Sequence, residues 1–219
     1  MKKIVVFDCT YGGELFADQL EQEYPIVEVI RVIDWRNSET IQSNPRLARK
    51  LAREALSPYI GKVDLIIIAN FLLSITSLKY FKRKFKNQKF IGLNLKEPDT
   101  FADRKIIILT TKAVARTISY RNYLFRIKRR TETLILDTWT DMIDDGVFTE
   151  SNLRASLDCY QISPSGRSTE LILANTIFND IIPLIKDCYG RNLKIHSSFN
   201  DAIREACKAL GIRGGLSKK

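Results

Sequence analysis

The sequence predicts an α/β protein with two similar lobes, each built on a parallel sheet flanked by helices. Three observations lead to this fold class. Short apolar runs rich in β-branched residues alternate with amphipathic helical patterns along the 219 residues. The alternation is interrupted once, at the polar stretch KEPDTFAD (96–103). Each half contains an apolar strand followed by Ala-Asn and a helical pattern, at Ala69-Asn70 and at Ala174-Asn175.

The first half is predicted to contain four strands with helices between them. Its strand patterns are KIVVFD (3–8), IVEVIRVI (26–33), VDLIIIA (63–69) and FIGLNL (90–95). Its helical patterns are GELFADQLEQEY (13–24), NPRLARKLAREALSPYI (44–60) and SITSLKYFKRKF (74–85). In the second of these helices, apolar residues recur at helical spacing on one face, which is typical of a helix packed on a sheet.

The second half repeats the pattern. Its strands are KIIILTT (105–111), TETLILDT (131–138), ELILAN (170–175) and LKIHS (193–197). Its helices are AVARTISYRNYLF (113–125), the short WTDMIDD (139–145), TESNLRASLDCY (149–160), TIFNDIIPLIKDCYG (176–190) and SFNDAIREACKAL (198–210). QISPSGRST (161–169) is predicted as a loop and GIRGGLSKK (211–219) as a tail. We expect residues 1–96 with 201–219 to form the first lobe and 97–200 the second, with a ligand cleft between them.

The composition indicates a soluble globular protein without a metal site. Hydrophobic residues make up 45% of the chain, and no apolar run approaches the ~18 residues of a membrane span. The apolar run after Lys2 and Lys3 meets Asp8 at once, so it predicts a first strand rather than a signal peptide, and we expect a cytoplasmic protein. The four cysteines form no CxxC pair and His196 is the one histidine, so no metal is expected.

A formal charge of +10 allows an acidic partner. The basic residues concentrate in KYFKRKFKNQKF (79–90) and YLFRIKRR (123–130), where interleaved aromatic residues suggest nucleic-acid binding. The helical spacing of Tyr80, Phe81 and Phe85 favours the alternative, in which the aromatics are core and the lysines a solvated face. Binding of nucleic acid or of another acidic partner is therefore the second alternative function.

The stretch DCTYGG after the first strand is a candidate site. Asp8 ends that strand, and Gly12 and Gly13 allow close backbone approach at a helix N-terminus that can bind an anion. A plain tight turn capped by Asp8 explains the same residues equally well.

Taken together, the motifs resemble the aspartate/glutamate racemase superfamily, glutamate racemase in particular. FDCTYGG is similar to that family's F-D-S-G-V-G-G, IIIANFLLS to I-A-C-N-T-A-S, FIGLNLKEPD to V-I-G-V-I-E-P, and DMIDDG to P-L-V-E-x-G. IILTTKAVARTISYRNYL is similar to I-A-T-P-A-T-V-x-S-x-x-Y with one extra residue, and LILANTIFNDIIP to L-x-L-G-C-T-H-Y-P-L-L-x-P. The resemblance covers nearly the whole chain and implies two α/β lobes, no cofactor and often a dimer.

The resemblance also implies a chemistry that this sequence departs from. The family racemises amino acids with two cysteines on opposite faces of the substrate, tuned by an acid and a histidine. Asn70 and Asn175 fall on the two cysteines, and Ile177 falls on the histidine. Phe71 and Leu72 fall on the Asn and Thr that follow the first cysteine. An amide is no carbon-acid base at neutral pH, so two-thiol racemisation is not expected.

We therefore predict a protein that binds a small carboxylate or amino-acid-like ligand in the interlobe cleft. An amide offers two donors and an acceptor without charge, and two such groups at helix N-termini suit a carboxylate. Asparagine also caps helices well, so loss of catalysis with Asn as an N-cap is the competing explanation. The expected ligand-binding residues are Asn70, Thr111, Asn175, Thr176 and, more weakly, Asp144, which falls on a family acidic position.

An isomerase or lyase that uses Asp8 and Cys9 on a carboxylate substrate is the first alternative function. Cys9 replaces a serine that in the family lies beside the substrate, and a nearby helix N-terminus would favour its thiolate. A small residue packed at the strand end is the plainer explanation of Cys9. His196 lies on the last predicted strand, where a structural hydrogen bond is expected of it.

Overall fold

A computed structural model describes residues 1–95, 104–127, 131–162 and 169–212. The chain divides into two compact units. The first unit comprises Met1–Asn94 and Phe199–Lys219, and the second unit comprises Leu95–Ser198. The predicted break at 96–103, most of the predicted loop at 161–169 and most of the tail at 211–219 lie outside the described residues. The predicted interlobe cleft and lobe bounds stay predictions.

The first unit contains a four-stranded parallel sheet in the order β2-β1-β3-β4. These strands are β1 (Lys2–Asp8), β2 (Val27–Ile33), β3 (Leu65–Ile68) and β4 (Phe90–Gly92). The central strands β1 and β3 are fully buried along the runs from Ile4 and from Leu65. Continuous apolar runs of this kind are what a parallel sheet covered on both faces requires.

Among the described residues, five helices lie wholly or largely in the first unit. They are α1 (Tyr11–Glu23), α2 (Ser38–Ser43), α3 (Pro45–Leu56), α4 (Phe71–Lys84) and α10 (Ser198–Leu210). The α3 and α4 side of the sheet buries Phe7, Leu56 and Phe81 in one cluster. Helix α10 packs on α1, since the rings of Phe199 and Phe16 meet edge to face at 4.9 Å.

The second unit repeats the same topology in a second four-stranded parallel sheet, ordered β6-β5-β7-β8. Its strands are β5 (Lys105–Thr110), β6 (Thr131–Ile135), β7 (Thr169–Leu173) and β8 (Lys194–Ser197). Its helices are α5 (Lys112–Ala115), α6 (Ile118–Arg126), α7 (Asp137–Asp144), α8 (Glu150–Leu157) and α9 (Ile182–Tyr189). One face of this sheet packs around Trp139, whose ring meets Phe148 and Phe178 edge to face. The predicted fold class is confirmed.

Several predicted elements have different bounds in the structure. The helix predicted over 113–125 is two helices, because Thr117 leaves the helical conformation and caps α6 through Tyr120 N–H at 3.1 Å. The helix predicted over 176–190 is a 3-10 turn at Ile177–Asn179 followed by α9. Helix α2 and the 3-10 turn Trp35–Asn37 were not predicted, since their short polar sequence has no helical period.

Within the described ranges, none of the helices has both the length and the apolar character that a bilayer span requires.

Candidate functional site

The candidate site follows from the order of the strands. In each unit the second strand lies beside the first strand on one flank, and the third strand lies beside the first on the opposite flank. The carboxyl ends of these two strands form the topological switch point, where ligands bind in open α/β sheets. Asp8 and Asn70 lie at this edge of the first sheet, and Thr110 and Asn175 at the same edge of the second.

Asp8 is the last residue of β1 and is completely buried. Its Oδ1 accepts the backbone N–H of Cys9 at 2.7 Å and Nδ2 of Asn70 at 2.9 Å. Its Oδ2 accepts the hydroxyl of Thr10 at 3.4 Å. These contacts are all donors, which suits an ionised carboxylate, and burial of such a group requires them.

Gly13 allows α1 to start directly against this carboxylate. A Cβ atom at Gly13 would lie 2.4 Å from Cβ of Asp8 and 2.7 Å from Cδ1 of Ile33. Neither distance is sterically accessible, so the position admits no side chain without movement of β1 or α1. The glycine pair predicted to permit close approach therefore acts at Gly13, and what approaches is the Asp8 side chain itself.

Both ends of the Asn70 amide are engaged within the first unit. Its Oδ1 accepts the backbone N–H of Leu73 at 3.0 Å, so Asn70 is the N-cap of α4. Its Nδ2 donates to Asp8 and, at 3.3 Å, to Sγ of Cys9. The helix begins at Phe71, earlier than the pattern predicted, because this cap follows the strand immediately. Direct ligand contact by Asn70 stays a prediction.

Cys9 is buried and belongs to the apolar cluster beneath α3 and α4. Its thiol therefore faces hydrophobic neighbours such as Val5 and Phe7 on one side and the Asn70 amide on the other. This placement fits the packed small residue that was the plainer explanation of Cys9. A catalytic role for Asp8 and Cys9 stays a prediction.

Ser74 is a connecting residue of this edge that the sequence did not single out. Its hydroxyl donates to the carbonyl of Ile68 at 2.7 Å and accepts the N–H of Leu93 at 3.0 Å. It thereby links the ends of β3 and β4. A Cβ atom at Gly92 would lie 2.8 Å from this hydroxyl, which explains the glycine there.

The corresponding edge of the second unit contains a buried hydroxyl without a partner among the described residues. Thr110 ends β5 and is completely buried, yet its Oγ1 has no hydrogen-bond partner among the residues the structure describes. Thr111 follows as the N-cap of α5, and its side chain makes no hydrogen bond to that helix. Buried polar groups normally have a partner, so an orphaned hydroxyl at a switch point is a feature of interest.

Asn175 lies beside these threonines, because β5 and β7 leave their pairing together after Leu109 and Leu173. Its Oδ1 accepts the hydroxyl of Thr176 at 3.4 Å, while its Nδ2 donates to none of the described residues. Asn175 is half-buried and Thr176 buried. The structure thus brings together Thr111, Asn175 and Thr176 of the predicted ligand-binding residues.

Asn179 fixes the turn that carries Asn175. Its Nδ2 donates to the carbonyl of Thr176 at 2.7 Å, and its Oδ1 accepts the hydroxyl of Ser197 at the end of β8. The turn is therefore tied to the neighbouring strand. A polar residue four positions after a strand is a weak signal, and the sequence did not point to Asn179.

His196 takes a structural position on β8. Its Nε2 lies 2.6 Å from Oε2 of Glu170, whose side chain is 3% exposed, and Nη1 of Arg104 lies 3.1 Å from the other carboxylate oxygen. His196 thus compensates a buried carboxylate near the start of β7, in agreement with the hydrogen-bonding role expected of it.

Asp144 lies apart from these groups. It is an exposed residue at the C-terminal end of α7, a helix that begins at the carboxyl end of β6 and runs about 12 Å away from it. The structure does not bring Asp144 to the switch point of the second unit. Its assignment as a ligand-binding residue stays a prediction.

The described residues contain no group of three or more His, Cys, Asp or Glu side chains that could hold a metal ion. The two edges differ instead in charge. The first has a buried carboxylate surrounded by donors, and the second has neutral hydroxyl and amide donors. Chemically, the first suits an ammonium group and the second a carboxylate.

No protein-family model matches the sequence, and neither does any curated protein. Solved structures do match. Glutamate racemase from Campylobacter jejuni is 21% identical, with 99% of this chain and 89% of that chain covered and a TM-score of 0.77. Glutamate racemase from Francisella tularensis in complex with D-glutamate is 18% identical, with coverage of 100% and 84% and a TM-score of 0.75. Allantoin racemase from Klebsiella pneumoniae is 14% identical, with coverage of 97% and 89% and a TM-score of 0.54.

These likenesses establish the fold. The chain has the two-lobed α/β architecture of the glutamate racemases, with two parallel four-stranded sheets flanked by helices. The fold implied by the sequence motifs is thereby confirmed.

Proposed function

We propose that this chain binds a small carboxylate or amino-acid-like ligand and does not racemise it with two cysteines. The observation that carries the proposal is the half-buried amide of Asn175 at the switch point of the second sheet, whose Nδ2 donates to none of the described residues. Fold alone does not decide function, so the argument rests on this side chain.

A carboxylate satisfies what these residues lack. An amide N–H without a partner in the protein can donate to a ligand, and a hydrogen bond to a charged acceptor contributes about 1.5–3 kcal/mol. An ionised carboxylate is an acceptor only, and it offers several lone pairs to the hydroxyl of Thr111 and to Nδ2 of Asn175. All these donors are neutral, so the site contains no buried cation that would be left unpaired when the ligand is absent.

Asp8 is the group we assign to an ammonium. It is a buried carboxylate at the switch point of the first sheet, and its position is fixed by the backbone of Cys9 and by Asn70. D-glutamate is bound in the Francisella tularensis neighbour, which supports an amino-acid ligand here.

The same residues argue against two-thiol racemisation. The positions that follow β3 and β7 hold Asn70 and Asn175, and the amide of Asn70 is engaged by Asp8 and by the N-terminus of α4. Of the four cysteines, Cys9 is packed in the core of the first unit. General-base removal of an α-proton needs a group with a basic lone pair, which an amide lacks.

An isomerase or lyase that uses Asp8 and Cys9 is the second candidate function. The observation that favours it is the contact of the Cys9 thiol with Nδ2 of Asn70 at 3.3 Å, since a donor beside sulfur stabilises a thiolate. In that mechanism Asp8 or the thiolate would remove the α-proton of a carboxylate substrate. Exchange of that proton with solvent is its direct signature.

Ligand-dependent thermal unfolding tests the proposal. The wild-type protein and Asn175→Ala are unfolded with each hand of glutamate and aspartate, and Asn192→Ala, at an exposed asparagine of the second unit, is the matched control. A binding amino acid at about 100 times its Kd stabilises the wild type by about 2.7 kcal/mol. We expect this stabilisation in the wild type and the control and its loss in Asn175→Ala.

Incubation of the same amino acids in D₂O, followed by NMR of the α-proton, separates the two candidates. Stabilisation without exchange supports a binder. Exchange that Cys9→Ser abolishes while binding persists would establish the second candidate instead. If none of the ligands stabilises the protein or exchanges its proton, the proposed ligand class is wrong.

A further inference from the structure

The net charge of the protein is concentrated in one segment of the first unit. Residues 45–89 contain eleven lysines and arginines and two acidic residues, so this segment holds nearly all of the chain's net charge of +10. The whole segment is described by the structure, and it forms α3, β3, α4 and the turn into β4. We name its cationic face the α3–α4 basic surface, comprising Arg46, Arg49, Lys50, Arg53, Lys79, Lys82, Arg83, Lys84 and Lys86.

Helices α3 and α4 lie side by side, so their cations share one surface. Nε of Arg49 on α3 donates to Oγ of Ser77 on α4 at 3.2 Å. The Arg49 guanidinium also lies 5.0 Å from the centroid of the Tyr80 ring, and Nζ of Lys84 lies 5.5 Å from the same centroid. Hydrogen bonds from Lys84 and Arg53 hold the pKa of the Tyr80 phenol below its ordinary value. Three cations therefore converge on one tyrosine ring.

Few of these cations are compensated within the protein. Lys50 lies 4.0 Å from Glu54, an exposed pair that contributes little. Arg46, Lys79, Lys82, Arg83 and Lys86 are exposed and make no ion pair among the residues that the structure describes. Like charges at this density repel one another, and that repulsion opposes folding.

Helix stability explains only part of the pattern. Lys82, Arg83 and Lys84 occupy the last turn of α4, where the helix dipole favours cations. The first turn of α3, however, contains Arg46 and no acidic residue, which is the arrangement the dipole disfavours. The cations of α3 therefore need another explanation, and an anionic partner provides one.

The surrounding apolar residues identify the kind of partner. Phe81 is fully buried, and Phe85 and Tyr80 are partly buried rings that pack against the core of the first unit. Arg49 and Lys84 lie over the Tyr80 ring, so this surface presents cations rather than open rings for base stacking or bilayer insertion. The expectation that these aromatics are core is confirmed for Phe81, while Tyr80 and Phe85 pack on that core and stay partly exposed. Leu47, at 39% exposure, is the large apolar side chain exposed on α3. Protein interfaces favour buried aromatic anchors and are depleted in lysine, which this surface contradicts.

We propose that the α3–α4 basic surface binds the phosphate backbone of nucleic acid without reading its sequence. Helices of twelve and fourteen residues span about 18 and 21 Å, which extends over several consecutive phosphates. Unpaired lysines and arginines are point charges that neutralise phosphates and release counterions. The proposal is independent of the ligand bound at the strand ends.

Fluorescence anisotropy with a labelled short duplex DNA, a duplex RNA and a single strand tests the proposal. Five unpaired cations predict that the logarithm of the binding constant falls with the logarithm of salt concentration with a slope of about −4. Scrambling the base sequence should leave affinity unchanged. The relative affinities of the three probes show which nucleic acid supplies the phosphates.

Matched variants locate the surface. Lys82→Gln/Arg83→Gln/Lys86→Gln removes three exposed cations of the surface, and we expect the slope to weaken by about 3. Arg116→Gln/Arg121→Gln/Arg191→Gln removes three exposed cations of the second unit and should leave the slope unchanged. Arg46→Gln serves as a second variant, since it relieves an unfavourable cation at a helix start and should weaken the slope by about 1.

Three outcomes would overturn the proposal. They are no binding at about 50 mM salt, equal losses in the two triple variants, or affinity that does not depend on salt. Tighter binding of polyglutamate or of phosphatidylserine vesicles than of any nucleic acid would assign the surface to an acidic protein or to a membrane instead.

Discussion

The carboxyl edges of the two sheets contain the same Ala-Asn sequence and use it differently. In the first unit, Asn70 caps a long helix and its amide is engaged by Asp8 and Leu73. In the second unit, Asn175 precedes a 3-10 turn, and the amide nitrogen donates to none of the described residues. One residue type at one topological position is therefore a structural support in the first unit and an available donor in the second.

The local cause of this difference is where the following helix begins. Helix α4 starts at Phe71, so Asn70 is at the N-cap position. Helix α9 starts only at Ile182, with a proline in its first turn, and Asn179 rather than Asn175 holds the intervening turn. An asparagine that is not a cap keeps its donors for another partner.

Substitution of Gly13 should disrupt the carboxyl edge of the first sheet and cause the largest loss of stability. Gly13→Ala would place Cβ 2.4 Å from Asp8 Cβ and should destabilise the protein by about 3 kcal/mol or more, since β1 and α1 must separate. Urea unfolding of the variant measures this loss. Gln22→Ala, at an exposed position of the same helix, should change stability by less than about 0.5 kcal/mol. A neutral Gly13→Ala would show that α1 does not need to approach Asp8.

Alkaline pH should affect the tyrosine phenols of the two units in opposite directions. Burial raises the pKa of Tyr120 in the second unit to about 12, against about 10 in the unfolded chain. The stability that this phenol contributes is therefore complete below pH 10 and is lost as pH rises toward 12, by an amount on the order of 2 kcal/mol. Tyr120→Phe should reduce that loss.

Tyr80 of the first unit is the control for this titration. Hydrogen bonds from Lys84 and Arg53 lower its pKa, so its contribution to stability has the opposite sign and grows as pH rises. Tyr80→Phe should therefore leave the alkaline loss in place or increase it. Chemical unfolding at several pH values gives both results, and a Tyr120→Phe protein as alkali-sensitive as the wild type would contradict the assignment.

Removal of the unpartnered Thr110 hydroxyl should change the stability least. Thr110→Val replaces a buried hydroxyl that has no partner among the described residues, so without ligand it should be neutral or stabilising by up to about 1 kcal/mol. Thr117→Val is the matched control, because its hydroxyl caps α6 and donates to the carbonyl of Val114 at 2.8 Å. That control should lose about 1 kcal/mol. Equal losses in both variants would mean that Thr110 has a partner within the protein.

The sequence predicted the fold well because its signal is local. The runs LIII at 65–68 and IIIL at 106–109 are continuous and apolar, and such runs predict buried parallel strands directly. The break between α5 and α6 was missed because Thr117 caps α6 through a backbone N–H, a group that every non-proline residue offers and that no sequence pattern marks. The residues on both sides of Thr117 have a helical pattern, so the sequence predicts one continuous helix.

The candidate site was predicted in position but not in detail. Strand ends and the repeated Asn indicated the two edges. The satisfaction of Asn70 and the orphaned state of Thr110 depend on distant parts of the chain, which no spacing reveals. Gly12 and Gly13 were predicted to permit close approach of an anion to the helix N-terminus, whereas the group that comes close to Gly13 is the Asp8 side chain, together with Ile33.

Separate replacement of Asn70 and Asn175 tests whether the first asparagine supports the fold and the second binds the ligand. Asn70→Ala removes an N-cap and a donor to a buried carboxylate, and should lose about 2–3 kcal/mol in urea unfolding. Asn175→Ala should change stability by less than about 0.5 kcal/mol without ligand. It should also abolish the stabilisation given by whichever amino acid raises the wild-type Tm most. If Asn175→Ala unfolds as readily as Asn70→Ala, or keeps the full ligand-dependent rise in Tm, the second edge is not a binding site.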